Sequence, residues 1–355
     1  MPCNQIVSRR HLLLTMLMLF SSSVAISDDA PPRITPVAAS LLPVTSRSLR
    51  LKPVLSGLSQ TLVTAVSAAP DGDIVAVAGD DHAIRLIATD SLRVLKTLKG
   101  HRDLIKTLAF DRTGDKMASA GIDGQLIIWD RKDNYRVLQK MKGAPALACI
   151  RFAPDGNEIA AVGFDRRVYV IGRGDKQMPK FQCDCNDLKT VAYRDDNEVL
   201  AVAGRSGSLY LFDVVNGDSI GEYHIHQGRI QGMDFLPDSN LLVCVAEDGI
   251  MTVFDTRNGK VFQKNRITTG KLFSVAIIDS QHVAVGGSDD VIRVVNTTNG
   301  NVVRRLNGHK GTVSTLCSAG ENLFSGGYDA TLRRWGLSAV MNKARIAEGN
   351  QQIDR

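Results

Sequence analysis

The sequence has few aromatic residues and no long basic run. Aromatic residues make up 5% of the 355 residues and 31 residues are glycine, which together favour many tight turns over a core of large rings. The formal net charge is +6, and no cluster of basic and aromatic residues accompanies it. A charge this small, without such a cluster, argues against nucleic-acid binding. The 44% of hydrophobic residues excludes a chain that is disordered throughout.

Motifs of cofactor and catalytic chemistry are also missing. The sequence has no glycine-rich phosphate loop and no motif of an activated nucleophile. It has neither a C-x-x-C-H haem attachment motif nor cysteines and histidines at zinc spacing. We therefore expect no cofactor, no metal site and no catalytic residues.

Residues 1–27 have the features of an export signal. Arg9 and Arg10 precede a mostly apolar run over 12–20, and small residues follow, with a cleavage site after Ala25. The run is shorter than the roughly 20 apolar residues that span a bilayer. The two arginines also resemble a twin-arginine signal. We expect an exported protein, periplasmic or secreted, and the alternative is an uncleaved anchor.

The segments that flank the central part of the chain differ from it in composition. Residues 28–47 contain four prolines among small and polar residues, which predicts an exposed linker. Residues 337–355 are polar and predict a tail or a short helix.

Five cysteines remain after the N-terminal segment. Cys149, Cys244 and Cys317 fall in apolar strand patterns and are predicted to be small core residues. Cys183 and Cys185 are two residues apart, and a disulfide between them would be strained on an extended strand. We expect these two thiols to be unpaired or strained.

A repeat of about 41 residues organises the centre of the sequence. A short turn follows an alternating apolar strand in each of seven units, and a second apolar strand follows the turn. The first turn residues are Gly79, Gly121, Gly163, Gly204, Ala246, Gly287 and Gly327. The repeat therefore predicts four short antiparallel strands in each unit.

One position of the first strand in each unit is always small. These residues are Ala65, Thr107, Cys149, Thr190, Gly232, Ser274 and Thr315. Small side chains allow first strands to converge on an axis, so this column favours a radial array over a flat sandwich.

The units resemble the blades of WD-repeat β-propellers. The residues that carry the resemblance are Gly100-His101, Asp123 and Trp129-Asp130 in the second unit, and Gly308-His309, Asp329 and Trp335-Gly336 in the seventh. The resemblance covers about residues 48–336. It implies an all-β, seven-bladed propeller of four-stranded antiparallel blades.

An N-terminal strand is expected to close the ring. Residues 48–57 match residues 91–100, the outer strand of the first blade, position by position. No such segment follows Trp335, so we expect residues 48–56 to supply the outer strand of the seventh blade. Pro53 is tolerable there because an outermost strand has one unpaired side.

Two sets of polar residues could be mistaken for hydrolytic triads. In the resembled family such residues form structural hydrogen-bond networks with the tryptophan indole. The sets are His101, Ser119, Asp123 and Trp129, and His309, Ser325, Asp329 and Trp335. Serine occupies this strand position only in the two units that also carry Gly-His and Trp, which favours the structural role.

His224 and His226 could bind a metal if both lie on one strand face. However, His226 falls in the Gly-His column, and Asp248 occupies the matching turn. We therefore favour a structural role for His226.

The residue before each turn aspartate should face outward on the side of the ring that carries these turns. Ile122, Phe164 and Tyr328 are apolar or aromatic there, which indicates a contact surface. With Asp80 and Arg205 as polar neighbours they form the predicted site for a protein or peptide partner. The alternative is that each side chain packs on a neighbouring loop.

These features predict an exported monomeric propeller that serves as a rigid protein-interaction scaffold. One alternative is a propeller enzyme, a hydrolase or a cofactor-dependent oxidoreductase, because such enzymes assemble their sites from scattered loops. The other is a membrane-anchored structural component of the cell envelope.

Overall fold

The computed structural model describes residues 44–172, 178–183 and 187–341. The described residues form seven antiparallel sheets of four strands each. The innermost strands of successive sheets pack side by side, and that of the last sheet packs against that of the first. The predicted seven-bladed propeller is thus confirmed.

The strands follow one another in blade order, from the axis outward. Strand β1 (Arg47–Arg50) comes first in the chain. Blades one to three contain β2 (Val63–Ala68), β3 (Ile74–Gly79), β4 (Ala83–Ala88) and β5 (Val94–Lys99); β6 (Ile105–Phe110), β7 (Lys116–Gly121), β8 (Leu126–Asp130) and β9 (Arg136–Met141); and β10 (Leu147–Phe152), β11 (Glu158–Gly163), β12 (Arg167–Gly172) and β13 (Met178–Gln182). Blades four to six contain β14 (Leu188–Tyr193), β15 (Val199–Gly204), β16 (Ser208–Asp213) and β17 (Ser219–His224); β18 (Ile230–Phe235), β19 (Leu241–Ala246), β20 (Ile250–Asp255) and β21 (Lys260–Arg266); and β22 (Leu272–Ile277), β23 (His282–Gly287), β24 (Ile292–Asn296) and β25 (Val302–Leu306). Blade seven contains β26 (Val313–Ala319), β27 (Asn322–Gly327) and β28 (Thr331–Gly336).

The N-terminal strand β1 completes blade seven, as predicted. It pairs antiparallel with β28, from Arg47 opposite Arg334 to Arg50 opposite Thr331. The paired strand is shorter than the expected residues 48–56, and Pro53 lies beyond its end. The chain leaves the sheet because the next residues bind blade one instead: the Val54 N–H donates to the Asp81 carboxylate at 2.7 Å. The segment therefore joins the last blade to the first.

Apolar side chains fill the spaces between neighbouring blades. One cluster combines Ile84 and Leu86 of blade one with Met117 and Trp129 of blade two, all of them buried. The second strand of each blade is buried on both faces. Outer strands such as β5 and β21 are largely exposed. Each blade is thus stabilised by both neighbours.

The column of small residues on the inner strands also links the blades by hydrogen bonds. The Ser274 hydroxyl accepts from the Leu316 N–H of the next blade at 2.9 Å, and the Thr107 hydroxyl accepts from the Ile150 N–H at 3.2 Å. A small hydroxyl here both allows close packing near the axis and satisfies a backbone donor.

The propeller does not end at residue 336. Residues 337–341 form a helical turn, and Leu337, Val340 and Met341 are buried against blade seven. Apolar residues spaced three and four apart share one helical face, which is why these three side chains turn towards the blade. Within the described ranges no helix is long and apolar enough to cross a membrane.

The cysteines lie largely in the interior. Cys149 and Cys244 are buried and form no disulfide, and Cys317 is half-buried. The buried Cys183 thiol lies 3.7 Å from the Arg166 carbonyl oxygen, to which it donates. Cys185 lies outside the described residues, as do the predicted export signal and most of the predicted linker.

Candidate functional site

The seven residues that precede the turn between the second and third strands lie at one level of the ring. Each backbone N–H donates to a carbonyl oxygen just before the inner strand of its own blade, at N···O distances of 2.9 to 3.2 Å. These residues are Asp80, Ile122, Phe164, Arg205, Glu247, Ser288 and Tyr328. The bond places all seven side chains around the same end of the central channel, which we call the turn face.

Three of these side chains are large, apolar and exposed. The exposed fraction is 54% for Phe164, 49% for Tyr328 and 39% for Ile122. Packing on a neighbouring loop would cover them, so this alternative does not describe Phe164 and Tyr328.

A cavity of about 500 Å³ opens on the turn face along the axis. Phe164, Tyr328 and Asp80 line it, which brings three of the five predicted partner-site residues to one place. Ile122 and Arg205 lie on the same face but do not line the cavity. The predicted site thus has a central part and two residues further out.

A β-bulge in every inner strand supplies the deeper lining of the cavity. In each blade the first and third residues of the inner strand pair with adjacent residues of the second strand. The second residue of the inner strand therefore has no paired residue and forms the bulge. All seven of these second residues line the cavity: Thr64, Lys106, Ala148, Lys189, Gln231, Phe273 and Ser314. Sequence reasoning missed this ring, although it directly precedes the column of small residues.

The polar networks predicted for blades two and seven are present as hydrogen bonds. His101 Nδ1 lies 3.0 Å from Asp123 Oδ2, and His101 Nε2 lies 2.8 Å from Ser119 Oγ. The Trp129 indole donates to the same Ser119 oxygen at 2.9 Å.

Blade seven repeats this arrangement. His309 Nδ1 lies 3.1 Å from Asp329 Oδ2, and Nε2 lies 2.8 Å from Ser325 Oγ. The Trp335 indole donates to Ser325 at 2.9 Å.

These networks are poorly suited to nucleophilic catalysis. Ser119 and Ser325 are fully buried, so a substrate cannot reach their hydroxyls. Since the indole must donate to each serine oxygen, the serine hydroxyl donates to Nε2, and Nδ1–H donates to the carboxylate. Burial lowers the pKa of His101 and of His309 despite the neighbouring carboxylates, which favours the neutral imidazoles that this chain of donors requires.

Three other blades pair the turn aspartate with the residue four positions later. Arg85 forms a buried ion pair with Asp81. Arg293 Nη2 lies 2.7 Å from Asp289 Oδ2. In blade three the Tyr169 hydroxyl donates to the Asp165 carboxylate, and burial together with that bond raises the pKa of Tyr169 to about 12. The spacing of four residues was visible in the sequence but was not used.

Blade five retains only part of the network. His226 Nδ1 lies 3.0 Å from Asp248 Oδ2, in agreement with the favoured structural role. Its Nε2 atom is buried with no hydrogen-bond partner among the described residues, because Cys244 stands where blades two and seven have serine. His224 is exposed at the end of β17. In the described part of the chain, no three His, Cys, Asp or Glu side chains are grouped as metal ligands.

Four segments of the chain match the family model of the WD domain, G-beta repeat. They are residues 50–87, 92–130, 217–255 and 300–336. Each segment starts at or near the outer strand of one blade and ends in the third strand of the next. Each match therefore includes the first three strands of one blade, and these blades are one, two, five and seven.

Curated relatives match parts of the chain at low identity. A guanine nucleotide-binding protein subunit beta of Dictyostelium discoideum is 24% identical over 155 residues, which cover 42% of this chain and 44% of the relative. A eukaryotic translation initiation factor 3 subunit I of Pyricularia oryzae is 27% identical over 191 residues, 50% of this chain and 55% of the relative. A periodic tryptophan protein 2 homolog of Schizosaccharomyces pombe is 23% identical over 204 residues, 51% of this chain and 24% of the relative. The chain thus spans at most 55% of the length of these three relatives. The four matched segments and the seven four-stranded blades make this chain similar to the WD-repeat β-propellers.

Proposed function

We propose that this propeller is a protein-interaction scaffold whose partner binds the turn face. The observation that carries the proposal is the exposure of Phe164 and Tyr328 at the rim of one cavity. Exposed aromatic side chains beside a concave surface are typical of the residues that contribute most to protein interfaces. WD-repeat propellers commonly act as such scaffolds.

The construction of the turn face supports this role. Each of its seven turn residues is held by a backbone hydrogen bond within its own blade. A surface that is already ordered loses little conformational entropy when a partner binds. The serine–histidine pairs of blades two and seven stabilise their blades, since their serines are fully buried.

The proposal is tested by substituting the two rim aromatics. A photoreactive phenylalanine analogue at position 164 first identifies the bound protein in an extract of the native cell. Binding of that purified partner is then measured by calorimetry with wild type, with Phe164→Ala/Tyr328→Ala, and with Phe262→Ala. Phe262 is a matched control because it is equally exposed but lies on the outer strand β21.

We expect the rim variant to weaken binding by more than tenfold. The Phe262→Ala variant should bind as wild type does. Equal binding by wild type and a folded rim variant would overturn the assignment of the turn face.

We further propose that the scaffold is exported, on the strength of Arg9, Arg10 and the apolar run that follows them. N-terminal sequencing of the protein from its native cell should begin at Ile26. A chain that retains residues 1–25 in the membrane fraction would favour the anchored envelope component instead. Intact chain in the cytoplasmic fraction would contradict export altogether.

A further inference from the structure

The cavity on the axis carries an excess of positive charge. Its lining includes four basic side chains, Lys106, Arg151, Lys189 and Arg229, and two acidic ones, Asp80 and Asp187. Both carboxylates are already engaged. Asp187 Oδ2 accepts from Arg229 at 2.6 Å, and Asp80 Oδ1 accepts from the Leu62 N–H at 3.0 Å.

Lys106 and Lys189 are not paired with a carboxylate at ion-pair distance, although Asp187 lies near enough to Lys189 to raise its pKa slightly against the larger effect of burial. Neither ammonium group forms an ion pair or a hydrogen bond with any residue of the described ranges. Both occupy the bulged second position of an inner strand, which directs them into the same cavity. Two like charges that share a cavity without a counterion destabilise the folded chain.

The surroundings of the cavity lower the pKa of both lysines. Burial lowers the pKa of Lys106. Burial, and then the charge of Lys106, lower the pKa of Lys189 to about 8. With a pKa of about 8, Lys189 is still mainly charged at neutral pH, and the nearby Asp187 already accepts a hydrogen bond from Arg229.

A neutral polar group of the same ring also lacks a partner. The Thr64 hydroxyl is buried, lines the cavity, and forms no hydrogen bond within the described part of the chain. This oxygen is out of reach of solvent, so the groups that can contact a ligand are the lysines. They share one space of about 500 Å³, a volume suited to a small molecule.

We propose that this cavity binds a small molecule through an oxyanion, a phosphate or carboxylate group, held by Lys106 and Lys189. The aromatic rim of Phe164 and Tyr328 lies above the anion and contacts the rest of the ligand. The site goes beyond the proposed scaffold and does not depend on it, because its donors lie inside the ring rather than on the exposed rim.

The test compares thermal unfolding of the full chain in sodium chloride, inorganic phosphate and tricarballylate, at pH 7 and equal ionic strength. The variants are Lys106→Met/Lys189→Met and the control Lys264→Met, which removes an exposed charge on the outer strand β21. Phosphate and carboxylate salts also stabilise folded proteins in general, so the readout is the difference between variants.

We expect a saturable rise of the melting temperature in wild type and in Lys264→Met, and loss of that rise in the double lysine variant. A response to phosphate alone identifies a phosphoryl ligand, and a response to tricarballylate alone identifies a carboxylate. If the double variant and wild type respond equally to both salts, the site does not exist.

A second measurement uses only the wild-type chain, in case the double variant does not fold. Lysines are acetylated with acetic anhydride at pH 8, with and without the responding anion, and the modified peptides are quantified. We expect the anion to protect Lys106 and Lys189 at least severalfold and to leave Lys264 unchanged. Absence of protection would overturn the inference, and it would leave the test at Phe164 and Tyr328 unaffected.

Discussion

His226 has kept one partner of its network and lost the other. The imidazole still faces Asp248, but Cys244 and Phe254 replace the serine and tryptophan of blades two and seven. The Nε2 atom is consequently buried without a hydrogen bond from any described residue. Blade five shows that an incomplete network persists when the blade is otherwise well packed.

We predict that Cys244→Ser stabilises the protein by about 1 kcal/mol, because a hydroxyl at this position can donate to His226 Nε2. The free energy of unfolding in urea measures the effect. Val202→Thr is the control, since it places a hydroxyl at the equivalent position of blade four, where β15 is fully buried. The control should be destabilised by about 1–3 kcal/mol. A loss of stability in Cys244→Ser would contradict the prediction.

The histidines of the complete networks make stability depend on pH. Burial holds the pKa of His101 and of His309 below the ordinary value of 6.5. Between the folded and the unfolded pKa the unfolded chain binds more protons, so stability is complete above about pH 6.5 and falls as the pH is lowered. The slope is at most about 1.4 kcal/mol per pH unit for each histidine.

Urea unfolding at several pH values between 5 and 8 checks this prediction. His101→Gln/His309→Gln should show a smaller decline in stability towards low pH. His224→Gln, which removes an exposed imidazole, should retain the wild-type decline. A decline that is identical in all three proteins would argue against the networks as its source.

At the scale of the strand, the hydroxyls near the axis act between blades. Ser274 accepts a hydrogen bond from Leu316 N–H, which belongs to the next inner strand. We predict that Ser274→Ala lowers the free energy of unfolding by about 1–2 kcal/mol, because the Leu316 donor then lacks an acceptor. Ser219→Ala, on the exposed side of β17, should change it by less than about 0.5 kcal/mol. Equal effects of the two substitutions on the free energy of unfolding would contradict a stabilising role of Ser274 between blades.

The strands were predictable to the extent that their pattern is periodic. Turn residues and the column of small residues recur in every unit, so the blade count and the closing strand followed from the sequence. The end of β1 did not, because Val54 leaves the sheet to bind Asp81, a contact with no periodic signature. The charged lining of the cavity was missed for a related reason: the bulge that directs Lys106 inward does not alter the apolar pattern of β6.

At the scale of the whole molecule, ring closure depends on four residues. Strand β1 covers the edge of β28, and the buried Leu51 follows it directly. We predict that a chain beginning at residue 52 is less stable than one beginning at residue 44 by about 3 kcal/mol, since it loses the burial of Leu51 and part of that of Leu49.

Urea unfolding compares the two chains, and light scattering reports association through the uncovered edge of β28. The chain that begins at residue 44 should remain monomeric under the same conditions. Equal stability and equal scattering of the two chains would show that closure does not require β1.

The bulged position of each inner strand is skipped by the register that pairs the inner strand with its neighbour. This position holds alanine in blade three, phenylalanine in blade six and lysine in blade two, yet all three blades keep the same strand order. The side chain at this position can therefore differ from blade to blade while the pairing of the strands stays the same. Selection or design can alter the lining of the cavity one blade at a time, without a matching change in the neighbouring strand.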